Sequence, residues 1–252
     1  MLFKARNIGM ILLTGLIWGL TSQASCNKSK ERFLPPPPTP GVPASQPATP
    51  SDTTISYLAL GDSYTIGESV SLKDRYPVQA VRLLQDARYS CLDPEIIATT
   101  GWTTASLLNA LNNPTSRRSY DLVSLLIGVN NQFQGHSQEE YRDQFANLLR
   151  QSIQLAGNQP SHVLVLSIPD YSVTPFAHRT NTALIAAQID SFNRINYELS
   201  QQYKVTYLDI TGESRKAAGD LSLIASDGLH FSGKEYAIWA EKMLPLLKEI
   251  LK

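Results

Sequence analysis

Cysteine is scarce in this chain. Two residues, Cys26 and Cys91, occur among 252. That number cannot build a disulfide framework or a four-thiolate zinc site. Net charge is absent as well. Twenty-two Lys and Arg balance 22 Asp and Glu, and no basic run gathers on one segment. A nucleic-acid partner is therefore not expected. No stretch is long enough to be read as a transmembrane helix, because the charge-free apolar segment from Ile8 to Leu20 falls short of the ~20 residues a bilayer requires. His-Glu-x-x-His is missing, and so is any acidic calcium loop, so no metal and no cofactor is implied. Histidine itself is limited to His136, His162, His178 and His230, which keeps the search for an acid–base residue short.

The first residues carry a targeting pattern. Lys4 and Arg6 precede the apolar segment, and Ala24, Ser25 and Cys26 follow it. This order reads as a secretory signal over residues 1–26. Ala-Ser-Cys also resembles a bacterial lipobox, in which the cysteine is lipidated, although Gln23 stands where that pattern has an aliphatic residue. A plain cleaved signal with a chance cysteine is the alternative. The expectation is an exported protein of the bacterial cell envelope, held to a membrane through a lipid on Cys26. Residues 27–53 are rich in proline, with Pro35 to Pro38 in a row. They cannot bury a core and read as an extended spacer.

From about residue 54 to 252 the pattern becomes globular. Apolar runs at Ile55–Leu60, Glu95–Ala98, Leu122–Ile127, Val163–Ile168 and Val205–Ile210 read as strands. Helical spacing fills the gaps: Pro77 to Ala87, the run from Tyr141 through Leu149, and Ile185 to Leu199. Ser137 with Glu140 and Ser232 with Glu235 read as capping boxes, and Pro245 should kink the last helix. Strands alternating with helices imply a parallel sheet covered on both faces. Ligands bind such sheets beyond the C-terminal strand ends, where the strand order switches.

Four short blocks stand at those ends: Gly61-Asp62-Ser63-Tyr64, Thr99-Thr100-Gly101, Gly128-Val129-Asn130-Asn131 and Asp227-Gly228-Leu229-His230. Each alone could be an ordinary turn. In this order the four resemble the SGNH, or GDSL, hydrolase family, whose hallmark Ser, Gly, Asn and His fall on Ser63, Gly101, Asn130 and His230. The resemblance spans the whole region from 54 to 252. It implies a three-layer α/β/α sandwich with a five-stranded parallel sheet ordered 2-1-3-4-5. It also implies an oxyanion hole made of the Ser63 and Gly101 backbone N–H groups and the Asn130 amide.

The chemistry suits these residue types. A serine hydroxyl needs a base to take its proton, and His230 is placed to serve. Asp227, three residues earlier, can reach the other ring nitrogen through a tight turn and hold the imidazole in orientation. Glycine at 101 would let the backbone approach the substrate closely. Asn131 stands where many relatives have Asp, with an effect expected on loop hydrogen bonds. His178 and the segment Ile168–Phe176 follow the fourth strand and are expected to border the site. Cys91 is expected to be buried packing. The expected activity is that of a serine esterase or lipase acting on a small-molecule, glycan or lipid ester. An acyltransferase with the same triad and a catalytically inactive binding protein of the same fold are the alternatives. Gly-x-Ser-x-Gly is absent, which argues against the α/β-hydrolase nucleophile elbow. Gly228 to Lys234 approaches a phosphate loop but has Glu235 where Ser or Thr is needed.

Overall fold

The computed structural model of the protein describes residues 54–112 and 119–252. The signal segment 1–26, Cys26 and the proline-rich stretch 27–53 lie outside the described residues.

Five strands form one parallel sheet: β1 (Tyr57–Gly61), β2 (Glu95–Ala98), β3 (Leu122–Leu126), β4 (Val163–Leu166) and β5 (Thr206–Leu208). Their order is β2-β1-β3-β4-β5. Every residue of β1, β3 and β4 is buried, as expected for central parallel strands with helices on both faces. Even the one polar residue inside β3, Ser124, is satisfied by the Tyr57 hydroxyl at 2.7 Å.

The α-helices are α1 (Ser63–Ile66), α2 (Tyr76–Asp86), α3 (Thr104–Leu111), α4 (Val129–Phe133), α5 (Gln138–Leu155), α6 (Thr182–Tyr203), α7 (Thr211–Ser214) and α8 (Gly233–Ile250). They flank the sheet, with α2 packed on α8 and α5 packed on both α3 and α6. Trp239 of α8 is fully buried and contacts the rings of Tyr64, Tyr76, Phe231 and Tyr236. This aromatic cluster ties the last helix to the segment that follows β1. Among the described residues no helix is long and apolar enough to cross a membrane.

Four of the five strands are shorter than the apolar runs that announce them, while β2 matches its run, and side chains set three of the shortened ends. Asp121 takes the Ser56 N–H at 2.8 Å, so β1 begins at Tyr57 although Ile55 is apolar. Asn193 takes the Ile168 N–H at 2.7 Å, just past the end of β4. The Ser167 hydroxyl accepts from the Ile210 and Thr211 N–H groups, at 2.8 and 3.0 Å, and ends β5. In each case a polar side chain replaces the ladder as hydrogen-bond partner.

Both capping boxes are made on one side only. Ser137 accepts from the Glu140 N–H and Ser232 from the Glu235 N–H. The glutamates turn elsewhere: Glu140 to Gln144 and His136, and Glu235 to the Trp239 indole N–H at 2.7 Å. Helix α8 runs on through Pro245 to Ile250. Gly233, the second glycine of the apparent phosphate loop, opens α8, and a Cβ there would lie 2.7 Å from Asp74. No open phosphate cradle exists at that position.

Candidate active site

The chain leaves β1 at Gly61, where an added Cβ would lie 2.0 Å from Thr65 Oγ1 and 2.4 Å from the Leu126 carbonyl oxygen. Only glycine fits. Asp62 then caps α1 by accepting the Tyr64 N–H at 3.1 Å. Ser63 follows as the first helical residue, so its own N–H is among the orphan donors of a helix start. Asp62 is wholly buried, and that burial pushes its carboxyl up to about 7.

Beyond β3, Gly128 turns the chain into α4 with φ +127°. A side chain there would press on Tyr141 and Ile168. The turn delivers two asparagines with separate tasks. Asn130 donates from Nδ2 to the Trp102 carbonyl at 2.9 Å. An amide nitrogen has two protons, so one fixes its orientation on Trp102 and the other is uncommitted, on a residue that lines the cleft described below. Asn131 is fully buried. It accepts the Thr104 N–H at 3.0 Å and donates to Thr104 Oγ1 at 2.8 Å. That pair locks α4 to the start of α3 and gives the departure at Asn131 a specific partner.

Gly101 occupies the third position of a turn closed by Trp102 N–H to Thr99 O at 3.2 Å, with φ +84°. This conformation favours glycine. A Cβ at Gly101 would meet nothing within 4 Å. The requirement for glycine is therefore the backbone angle, and no crowding by the protein enforces it. Gly101 is exposed and does not line the cleft described below. Its carbonyl accepts a long hydrogen bond, 3.4 Å, from Gln134.

The fourth block forms a tight Asx turn. Asp227 Oδ1 accepts the N–H groups of Leu229 and His230, both at 2.9 Å. Its Oδ2 lies 2.6 Å from His230 Nδ1. The ring therefore has Nδ1 engaged and Nε2 free to act. His230 is 93% removed from solvent, with 7% exposure, and its ring meets the edge of Tyr64 at 5.6 Å. The next residue, Phe231, is fully buried against Tyr64 and Trp239. Burial works to raise the Asp227 carboxyl. Hydrogen bonds from His230, Leu229 and Ser69 outweigh that and hold it well below the usual carboxylate range.

Ser63, Asn130 and His230 line one cleft, together with Tyr64, Val129, Phe133, Tyr171, Phe176 and Leu229. The cleft lies beyond β1 and β3, where the strand order switches. Apart from its three polar residues its wall is largely apolar and aromatic. Phe133 and Phe176 stand at the mouth, half-exposed, with ring centres 6.2 Å apart. The Phe176 N–H donates to the Gly228 carbonyl at 2.9 Å, so the wall is joined to the histidine turn. Of the segment expected after the fourth strand, Tyr171 and Phe176 border the cleft and His178 does not. Cys91 is only partly buried, at the edge of the core, and burial raises its thiol.

Two contributors escaped the sequence. One is Phe133, at the end of α4, whose helical spacing from Asn130 could have signalled it. The other is Ser69, whose hydroxyl donates to Asp227 Oδ2 at 2.7 Å across 158 residues. An exposed loop serine carries no local signal of such a bond. Among the described residues no cluster of three His, Cys, Asp or Glu side chains could hold a metal ion.

Residues 59–238 match the model of the family described as GDSL-like lipase/acylhydrolase. Solved structures share the fold at low identity. TesA aligns at 20% identity with a TM-score of 0.61, covering 78% of this chain and 99% of its own. The lipase/acylhydrolase from Enterococcus faecalis aligns at 17% with a TM-score of 0.62, covering 79% and 98%. Axe2, an acetylxylan esterase from Geobacillus stearothermophilus, aligns at 17% with a TM-score of 0.60, covering 77% and 94%. No curated protein matches the chain at a significant level.

Proposed function

The chain belongs to the GDSL-like lipase/acylhydrolase family, and from that premise we propose that it is a serine ester hydrolase working through an acyl-enzyme on Ser63. The observation that carries this reading is the 2.6 Å contact between His230 and Asp227, with His230 on the same cleft as Ser63 and Asn130. Asp227 orients the ring, so that Nε2 takes the Ser63 proton while Oγ attacks the ester carbonyl. The tetrahedral oxyanion is received by the Ser63 N–H and the Asn130 amide, both on the cleft, and the family resemblance adds the Gly101 N–H as a third donor once a substrate extends past the cleft lining. Collapse of the intermediate breaks the bond to the alcohol oxygen, which leaves with the proton from His230. Water, deprotonated in turn by His230, then releases the acid from Ser63.

Support for an ester with an apolar acyl part comes from Val129, Phe133, Tyr171, Phe176 and Leu229 around the nucleophile. The protein is exported and lipid-anchored through Cys26 in this proposal, and a Cys26→Ala variant that still partitions into membranes would remove the anchor from it. Hydrolysis of p-nitrophenyl acetate tests the activity. Wild type should turn over, and Ser63→Ala should be slower by several orders of magnitude. Equal rates would end the proposal.

A further inference from the structure

Ser69 breaks a local rule. Its φ is +63°, in the left-handed region that a non-glycine residue seldom adopts. The loop that holds it is anchored on the nucleophile itself. Gly67 N–H and Glu68 N–H both donate to the Ser63 carbonyl, at 3.0 and 2.9 Å. Gly67 has φ +72° and ends α1. Two consecutive side chains then reach in different directions. Glu68 accepts from the Thr100 hydroxyl, next to Gly101. Ser69 donates to Asp227 Oδ2 at 2.7 Å.

The second contact completes a set. A carboxylate offers about four acceptor positions, and Asp227 uses four: Leu229 N–H and His230 N–H on one oxygen, His230 Nδ1 and the Ser69 hydroxyl on the other. Three of these donors belong to the turn that also carries Asp227. Among the described residues Ser69 is the one donor from outside it, and it comes from the loop that follows Ser63. The hydroxyl therefore fixes the carboxylate relative to the nucleophile's side of the cleft, which the turn cannot do alone.

We infer that Ser69 is a positioning residue for the acid Asp227, acting through it on His230. The left-handed backbone is retained at a serine because the hydroxyl it presents has this task. The inference rests on the esterase reading only for its kinetic readout.

Glycine and asparagine separate position from fold, because both accept this backbone angle. Ser69→Gly deletes the hydroxyl and removes the strain. Ser69→Asn restores a donor in its side-chain amide. With p-nitrophenyl acetate, Ser69→Gly should lower kcat about three- to tenfold with KM within about twofold, the scale of one hydrogen bond to a charged group in partial contact with water. Its melting temperature should equal or exceed that of wild type, and Ser69→Asn should recover part of the loss in kcat. Unchanged kcat in Ser69→Gly overturns the inference, as does a loss of kcat that follows a loss of folded protein. The downfield proton resonance of the His230 Nδ1–H supplies a readout without turnover. Ser69→Gly should move or broaden it, and an unmoved signal overturns the inference even in a protein with no esterase activity. Inactivity of the wild type would overturn the esterase reading alone.

Discussion

Asn130 offers the sharpest test of how the cleft handles negative charge. Its Nδ2 is held by the Trp102 carbonyl at 2.9 Å, so the amide is oriented before any substrate arrives. Replacing it with alanine removes one prealigned donor. Loss of such a donor lowers turnover by ~10²–10³, about 2.7–4 kcal/mol. Because the cleft is open at its mouth, where Phe133 and Phe176 are half-exposed, the lower end of that range is expected. Stability should fall by only about 1 kcal/mol, the value of one hydrogen bond. Asn130→Asp keeps the size and inverts the polarity. Its carboxylate would face both the Trp102 carbonyl and the developing oxyanion. Two unit charges ~4 Å apart near a protein surface repel by about 4 kcal/mol, so the aspartate should be slower than the alanine. The assay is kcat on p-nitrophenyl acetate for the three proteins, with thermal unfolding followed by circular dichroism. An alanine variant within threefold of wild type would refute the assignment of Asn130, and so would an aspartate variant faster than the alanine.

Two glycines with positive φ should behave differently. Gly128→Ala places a Cβ 2.5 Å from the Tyr141 hydroxyl at φ +127° and should cost about 3 kcal/mol or more, whereas Gly101→Ala meets no atom within 4 Å and should cost only the ~1–2 kcal/mol of a left-handed alanine; comparison of urea midpoints decides. Stability should also fall with rising pH through the titration of Asp62. Its folded value of about 7 lies above the ordinary 3.8, so the folded state holds this proton longer, and the associated stability is full below about 4 and is lost as pH rises through about 7. A separation of that size corresponds to at most ~4 kcal/mol. Asp227 has the opposite sign, and its contribution is lost only in acid. Glu235, also raised by burial, shares the sign of Asp62, so urea unfolding of wild type against Asp62→Asn from pH 5 to 8 isolates Asp62. The profile of Asp62→Asn should be flatter than that of wild type, and parallel profiles would contradict the burial argument.

A parallel sheet with its site past the C-terminal strand ends was legible because β1, β3 and β4 are apolar on both faces and their following residues are marked by Gly-Asp-Ser, Gly-Val-Asn-Asn and Ile-Pro-Asp. The strand order was implied only by the resemblance of the four blocks to the SGNH family. The Asp227–His230 pair was legible from its spacing of three, which a single Asx turn closes. Both ends of β2 and the starts of β3 and β4 fall where the apolar runs put them. The start of β1 and the ends of β4 and β5 were not legible, since Asp121, Asn193 and Ser167 intercept backbone groups from distant positions. The two glutamates of the capping boxes show the same limit: spacing places them correctly, but Trp239 and Gln144 compete for their carboxylates. Ser69 was invisible for a related reason. Its partner lies 158 residues away, and its backbone angle is one that sequence would assign to glycine.

The central claim is that Ser63 is the nucleophile and that His230 and Asp227 activate it. A fluorophosphonate, which is attacked only by an activated serine, tests this directly when followed by peptide mass spectrometry. The account predicts one adduct per chain, on the peptide carrying Ser63, absent from Ser63→Ala and much slower to form in His230→Ala. An unmodified protein, or an adduct on any other residue, would contradict it.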